Sequence, residues 1–298
     1  MKWQGRRQSS NVDDRRGQGG GSGGGFNPLL IGPLIKILFS KTGLVIIGLF
    51  LAISFITGNN PLSLLGGLLG GGGSQGFTTE TNYTPTAEEE EMAQFSSTIL
   101  ADTEDVWNQL IEDYREPTLV LFTGSVSSAC GNASSSTGPF YCPADEKLYI
   151  DLSFFEDMET KLRAGGDFAY AYVIAHEVGH HIQKIMGITD QVHSLRGQVS
   201  EKEYNQNSVR LELQADFLAG VWAHHSQRSS AMMEAGDLEE ALNAANAIGD
   251  DRLQKQATGR VVPDSFTHGT SAQRMKWFKK GFETGDLRQG DTFSARDL

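Results

Sequence analysis

The chain has 298 residues, enough for one large or two modest domains, and its 39% hydrophobic and 21% charged residues describe a globular protein. Its net charge of −12 is uneven, because residues 1–41 carry seven Lys/Arg against two acids while the remainder is strongly acidic. An acidic body lacks the basic face that phosphate binding needs, so nucleic acid is excluded as a partner; two cysteines exclude a disulfide-dense scaffold and a four-cysteine zinc site.

In chain order, residues 1–28 are rich in Gln, Gly, Ser and Arg, end in a glycine run, and read as a disordered basic head. Residues 29–58 turn apolar and include the uninterrupted stretch Gly43–Gly58. That stretch is slightly short of the roughly 20 residues a membrane-spanning helix needs, but it can be extended past Lys36 and Lys41 if these snorkel. It begins too far from Met1 for a signal peptide. The expectation is a single transmembrane helix. Basic residues precede it and Glu88–Glu91 follow it, so the N-terminus is expected in the cytoplasm and the rest outside the plasma (inner) membrane, periplasmic or extracellular. Cys130 and Cys142 would then lie where a disulfide can persist, with their pairing left open. Residues 59–87 read as a Gly-rich tether, and residues 88–298 as the folded domain.

Within that domain Met92, Phe95, Ile99, Val106 and Leu110 recur at helical spacing as far as about Tyr114, where Glu116-Pro117 ends the run. Thr118–Thr123 and Lys147–Phe155 read as strands. Helices are expected over Phe168–Ile185, Val209–His225 and Asp237–Ile248, the last opened by an Asp237/Glu240 capping box, and over Ser271–Phe282. Strands first and helices afterwards make the class α+β, helix-rich with a small sheet.

The chemistry is concentrated in His176-Glu177-Val178-Gly179-His180, an H-E-x-x-H pattern inside the first of those long helices. Positions i and i+4 share a face, so His176 and His180 can grip one metal ion while Glu177 reaches a water on it. At this composition roughly 0.01 such matches arise by chance. Catalytic zinc takes three protein ligands. The extended pattern with a third histidine fails, since Gln183 and Met186 occupy its Gly and His positions. His181 points away from His180, and His193 falls in a loop. The better third ligand is Glu212, on an apolar helix that also carries Asp216 one turn on. Asp216 is placed to accept a hydrogen bond from a ligand histidine's far nitrogen. Ordinary ion pairing of both acids with Arg210 or other bases is the plainer alternative.

HEVGHHIQ, LELQADFLAGVWA, THGTSAQRMKWFKKGF and CGNASSSTGPFYCPADEKLYID together resemble the bacterial putative neutral zinc metallopeptidase family, over roughly residues 88–285. The resemblance implies a zincin-like domain with Zn²⁺ held by His176, His180 and Glu212, and Glu177 as the catalytic acid/base that activates a zinc-bound water. The expected activity is hydrolysis of peptide bonds in a peptide or protein substrate by a membrane-anchored metalloendopeptidase. His268 is the candidate oxyanion donor; Arg274 could serve instead, or orient Asp216. Lys147–Phe155 could hold an extended peptide by strand addition. A zinc-dependent amidase acting on a cell-envelope component and a non-catalytic, membrane-tethered binding protein are the rival readings.

Overall fold

The computed structural model describes residues 1–18 and 83–298. The expected membrane span, and the tether up to residue 82, lie outside the described residues. Among those described, no helix is long and apolar enough to cross a membrane.

The main sheet and its helices form around a large apolar core, and the alternate residues Val120, Phe122 and Tyr149 join Val126 and Cys142 in a smaller cluster on the sheet's other face. The main sheet runs β1 (Val12–Asp14), β2 (Thr118–Phe122), β6 (Lys147–Asp151), β5 (Phe140–Cys142) in spatial order. β1, β2 and β6 are parallel, and β5 returns antiparallel to β6. A separate hairpin pairs β3 (Ser125–Ser128) with β4 (Gly131–Ser134). The disulfide Cys130–Cys142 ties the hairpin's turn to the end of β5. β2 reads LVLF without polar interruption because all four residues are buried, as expected of an internal parallel strand.

α1 (Ala87–Leu110) is closed at its start by a Thr86/Glu89 capping box and runs under the sheet. α2 (Ser153–Thr160), α3 (Asp167–Ile185), α4 (Ile188–Ser194), α5 (Glu201–Ser230), α6 (Asp237–Ala247), α7 (Asp250–Thr258) and α8 (Ser271–Thr284) follow. The α+β class holds, with several boundaries moved. The strand expected over Lys147–Phe155 stops at Asp151, whose carboxylate takes the N–H of Ser153 and of Gly124 and lets the chain turn into α2. α5 begins eight residues before the expected Val209, since its polar first half is held by the Ser200 cap rather than by an apolar stripe. The Asp237/Glu240 box does not form: Gly236 is the cap, and Glu240 instead accepts the Phe168 N–H at the start of α3.

The largest correction concerns the N-terminus. Residues 1–18 are part of the fold rather than a disordered head, so the folded domain does not begin at 88. Val12–Asp14 is hydrogen-bonded into the sheet in register with Leu119–Leu121. Trp3 is 5% exposed, meets Phe95 edge to face at 5.4 Å and donates from Nε1 to Asp167 at 3.2 Å. Its arginines find acids inside the domain: Arg7 pairs with Glu104 and Asp105, and Arg16 with Asp14 and Glu90. Compositional bias toward disorder fails where a few residues find partners this far along the chain.

Trp3→Ala should therefore cost about 3–5 kcal/mol of unfolding free energy, the usual loss for truncating a buried aromatic. Denaturant unfolding measures it; a disordered head would show no change.

Candidate metal centre

α3 and α5 cross at the motif, and Gly179 is what lets them approach. A Cβ there would lie 2.9 Å from the carbonyl oxygen of Ala215, too close for any other residue without a shift of α5. The close crossing carries Glu212 to the histidines. His176 Nε2 is 3.2 Å from one Glu212 carboxylate oxygen, and His180 Nε2 is 3.5 Å from the other. The ligand atoms of His176, His180 and Glu212 all lie within 4.8 Å of one another. The 3.2 and 3.5 Å separations are those of neighbouring ligands on one tetrahedral ion bonded at about 2.0–2.2 Å by nitrogen and oxygen.

The outer nitrogens explain why both Nε2 atoms point inward. Asp216 only accepts, so His176 Nδ1–H donates to it at 2.8 Å and leaves Nε2 as the free lone pair. His180 Nδ1 meets Gln183 Oε1 at 2.9 Å. Gln183 cannot turn round, because its amide donates to the Leu211 carbonyl and to Gln214. His180 is thereby fixed in the same tautomer.

Asp216 is fully buried and holds more than a histidine. It takes Tyr172 Oη–H at 2.5 Å, and Arg274 reaches it through Nε and Nη2 at 2.8 and 2.9 Å. Burial would push this carboxyl up, but the Arg274 guanidinium and His176 overcome it and hold the pKa down to about 2. Burial works against protonation of His176, and the Asp216 carboxylate reverses that, raising its pKa to about 9. Glu212 is likewise buried against its charge, yet His180 and His176 keep its carboxyl well below the ordinary range. Glu212 therefore stays an ionised carboxylate at the point where a cation would sit, and a cation binding there displaces the proton of His176.

Glu177 lines the same cleft of about 390 Å³, with His193 and His268 also on its walls. The sequence-derived set of His176, Glu177, His180, Glu212 and Asp216 is thus brought together. His193 stands on α4 rather than in the expected loop, and lines the cleft outside the ligand cluster. His181 turns away, bonded to Tyr141 Oη and the Arg115 carbonyl. Arg210 does not pair with either acid, donating instead to the Thr292 and Ala295 carbonyls. Of the two roles open to Arg274, the geometry selects orientation of Asp216. His268 is half-exposed, and Asp250 holds it by accepting Nδ1–H at 3.2 Å and the His268 backbone N–H at 2.7 Å. That carboxylate hydrogen bond outweighs burial and raises the His268 pKa.

Sequence reasoning missed Tyr172, Gln214 and Asp250, and noticed Gln183 only as a mismatch. For Tyr172 and Gln183 a signal existed: they lie four residues before His176 and three after His180, on the motif's own face of the helix. Asp250 had none.

The sheet wall of the cleft differs from expectation. β6 is paired on both sides and cannot accept an added strand. β5 is the edge, has no strand on its other side among the described residues, and contributes Phe140 and Tyr141 to the cleft.

Comparison with known proteins gives one consistent answer. The family model described as "Putative neutral zinc metallopeptidase" matches residues 1–293. A protein of Escherichia coli strain K12, "Uncharacterized protein YpfJ", is 51% identical over 297 residues, covering 98% of this chain and 99% of its own. "Uncharacterized protein Rv2575" of Mycobacterium tuberculosis strain H37Rv is 45% identical over 203 residues, covering 65% of this chain and 68% of its own. No solved structure matches the chain.

Gln183→Ala should weaken zinc affinity by about 10–100-fold, the usual cost of freeing a ligand histidine's outer nitrogen. Glu212→Gln should weaken it further, because a neutral amide is a poor ligand for zinc. Competition titration with a chromophoric chelator ranks the two; equal affinity to the parent in Gln183→Ala would remove the orienting role.

Proposed function

The chain belongs to the putative neutral zinc metallopeptidase family, whose metal is zinc, and from that premise we propose that it hydrolyses peptide bonds with Glu177 as acid/base. The observation that carries the reading is the convergence of His176 Nε2, His180 Nε2 and the Glu212 carboxylate beside Glu177 in one cleft. Three protein ligands from two histidines and one carboxylate are the set of an open, catalytic zinc site rather than a closed structural one. When bound, zinc supplies a Lewis acid that polarises the scissile carbonyl and acidifies water.

The protein's own groups do the rest. Glu177 accepts the proton of the attacking water and returns it to the departing amine. His268, held by Asp250 and protonated over a wider pH range than an ordinary histidine, donates to the oxygen on which negative charge develops. Asp216, with Arg274 and Tyr172 behind it, keeps His176 oriented while the charge at its inner face changes.

The edge strand β5 favours a peptide over a non-peptide amide of the cell envelope. Its outer side, which no strand pairs among the described residues, offers main-chain groups to an extended substrate, and that is the mode by which a sheet edge recognises a strand. Phe140, Phe154, Val173, Leu211 and Leu253 line the cleft, so apolar side chains next to the scissile bond fit best.

Glu177→Gln should retain zinc and lose about 10²–10⁴-fold in turnover of a quenched peptide library. Undiminished hydrolysis in that variant would end the peptidase reading.

His268 donates only while protonated, so kcat/KM should fall as pH rises through its raised pKa. Asp250→Asn removes the charge that raises it and should move the falling limb to lower pH. A pH–rate profile that keeps its alkaline limb in Asp250→Asn would remove His268 from the reaction.

A further inference from the structure

We propose that residues 287–295, which lie along α5 far from the cleft, position the zinc ligand His180 through Gln214 and Gln183, and that Arg210 clamps them in place for it. The inference rests on His180 being a zinc ligand, as in the reading above, and not on the reaction that follows.

The relay starts at a backbone carbonyl. Gly290 O lies 2.9 Å from the amide nitrogen of the buried Gln214. A carbonyl oxygen only accepts, so Gln214 must turn its nitrogen to Gly290 and its oxygen to Gln183. Gln183 Nε2 donates to that oxygen at 3.1 Å and to Leu211 O at 2.7 Å. With both amide hydrogens placed, Gln183 presents its own oxygen to His180 Nδ1–H at 2.9 Å. The direction of each bond is thus fixed by the one before it, and the last leaves His180 Nε2 as the lone pair facing Glu212. Leu211 alone would engage one hydrogen of the fully buried Gln183 amide and leave the other without a partner. Both amides also point their oxygens toward His180, so their aligned dipoles favour a cation beyond it.

The start of the relay is held as firmly as its end. Gly290 O takes the Thr292 N–H as well, at 2.9 Å, which occupies its second lone pair. Thr292 is fully buried, and its hydroxyl donates to Arg210 O at 2.6 Å. Arg210 Nη1 donates back to the Thr292 carbonyl and, at 3.1 Å, to that of Ala295. From α8, Lys280 Nζ donates to Gln289 O at 2.8 Å. Arg210 and Gln214 are four residues apart on α5, so clamp and relay share one face of that helix. Arg210, which pairs with neither Glu212 nor Asp216, has its task here. Glycine at 290 lets the segment lie flat: a Cβ there would come within 2.5 Å of the buried Phe217 ring.

The test measures zinc affinity of the full chain by competition with a chromophoric chelator, and the visible absorption of the cobalt(II)-loaded protein as a report on ligand arrangement. Gln214→Leu removes both of its links and should weaken zinc binding about 10-fold, the low end for a partner outside the ligands themselves. Gly290→Ala leaves every side chain of the relay intact, displaces only the carbonyl, and should change affinity in the same direction. Both should shift the cobalt spectrum. The double variant Gln183→Ala/Gln214→Leu should bind zinc no more weakly than Gln183→Ala alone, because the two act through one bond to His180. Melting temperature identifies folded variants. Should Gln214→Leu fail to fold, Gln214→Glu replaces it, since an ionised carboxylate accepts from Gln183 but cannot donate to Gly290. Parent-like affinity and spectrum in the Gln214 and Gly290 variants overturn the proposal, as do additive losses in the double variant. Glu212→Gln separates the two readings. Parent-like affinity there would overturn the ligand set and this proposal with it, whereas a loss there beside additive losses in the relay overturns this proposal alone.

Discussion

The carboxylate of Asp216 joins the three helices on which the centre depends. It sits on α5, takes Tyr172 and His176 from α3, and takes both faces of the Arg274 fork from α8. A buried charge is costly unless it is paired and fully hydrogen-bonded, and removing one partner of such a pair typically costs about 3–5 kcal/mol. The same four contacts therefore serve two ends. They hold α3, α5 and α8 together, and they present His176 Nε2 to the metal position. The packing needed for this is close: Gly220 on α5 lies against the backbone of α8 at Phe278, and Gly281 on α8 against α5 at Phe217. A side chain at either position would push α8 outward and draw Arg274 off Asp216.

Much of the centre was legible because its chemistry is periodic. His176 and His180, and Glu212 and Asp216, are i, i+4 pairs on two helices, and acids on a helix otherwise lined with Leu, Phe, Val and Trp demand a partner. Which partner each acid takes was not legible. Asp216 and Arg274 are 58 residues apart, and Arg210, two residues from Glu212, looks the better candidate until α8 is in place. Gln183 illustrates a different limit. It was read as a failed glycine of another motif, whereas its amide, set by the Leu211 carbonyl, is what orients His180.

The fold shows the same division. The long helices and β2 follow from apolar spacing, while α2, α4 and α7 are short and held by contacts from elsewhere. β6 ends where the Asp151 carboxylate takes three donors, Gly124 N–H, Ser153 N–H and the Ser135 hydroxyl, none of which a strand pattern reveals. The N-terminus is the extreme case. Its composition is that of a disordered tail, yet Trp3, Ser9, Arg7 and Arg16 are enough to order it, because their partners on α1 and α3 are already fixed by the core. Disorder is a statement about whether a segment can bury enough by itself, and this segment does not have to.

The two sides of the cleft are supported differently. The metal-facing side rests on helices whose polar groups are bonded to one another in a closed network, so the ligand geometry is set before any substrate arrives. The opposite side is β5, three residues paired on one side only among the described residues, with its last residue bonded to the β3–β4 turn through Cys130–Cys142. A short edge strand is the least protected part of a sheet, and on the proposed peptidase reading β5 is the one that must stay open to receive a peptide. The cross-link anchors it from outside the cleft without occupying the edge. A hydrogen-bonded neighbour strand would stabilise β5 equally well but would close the face that the proposed recognition requires, and in this position a covalent tie fixes the strand without pairing its outer edge.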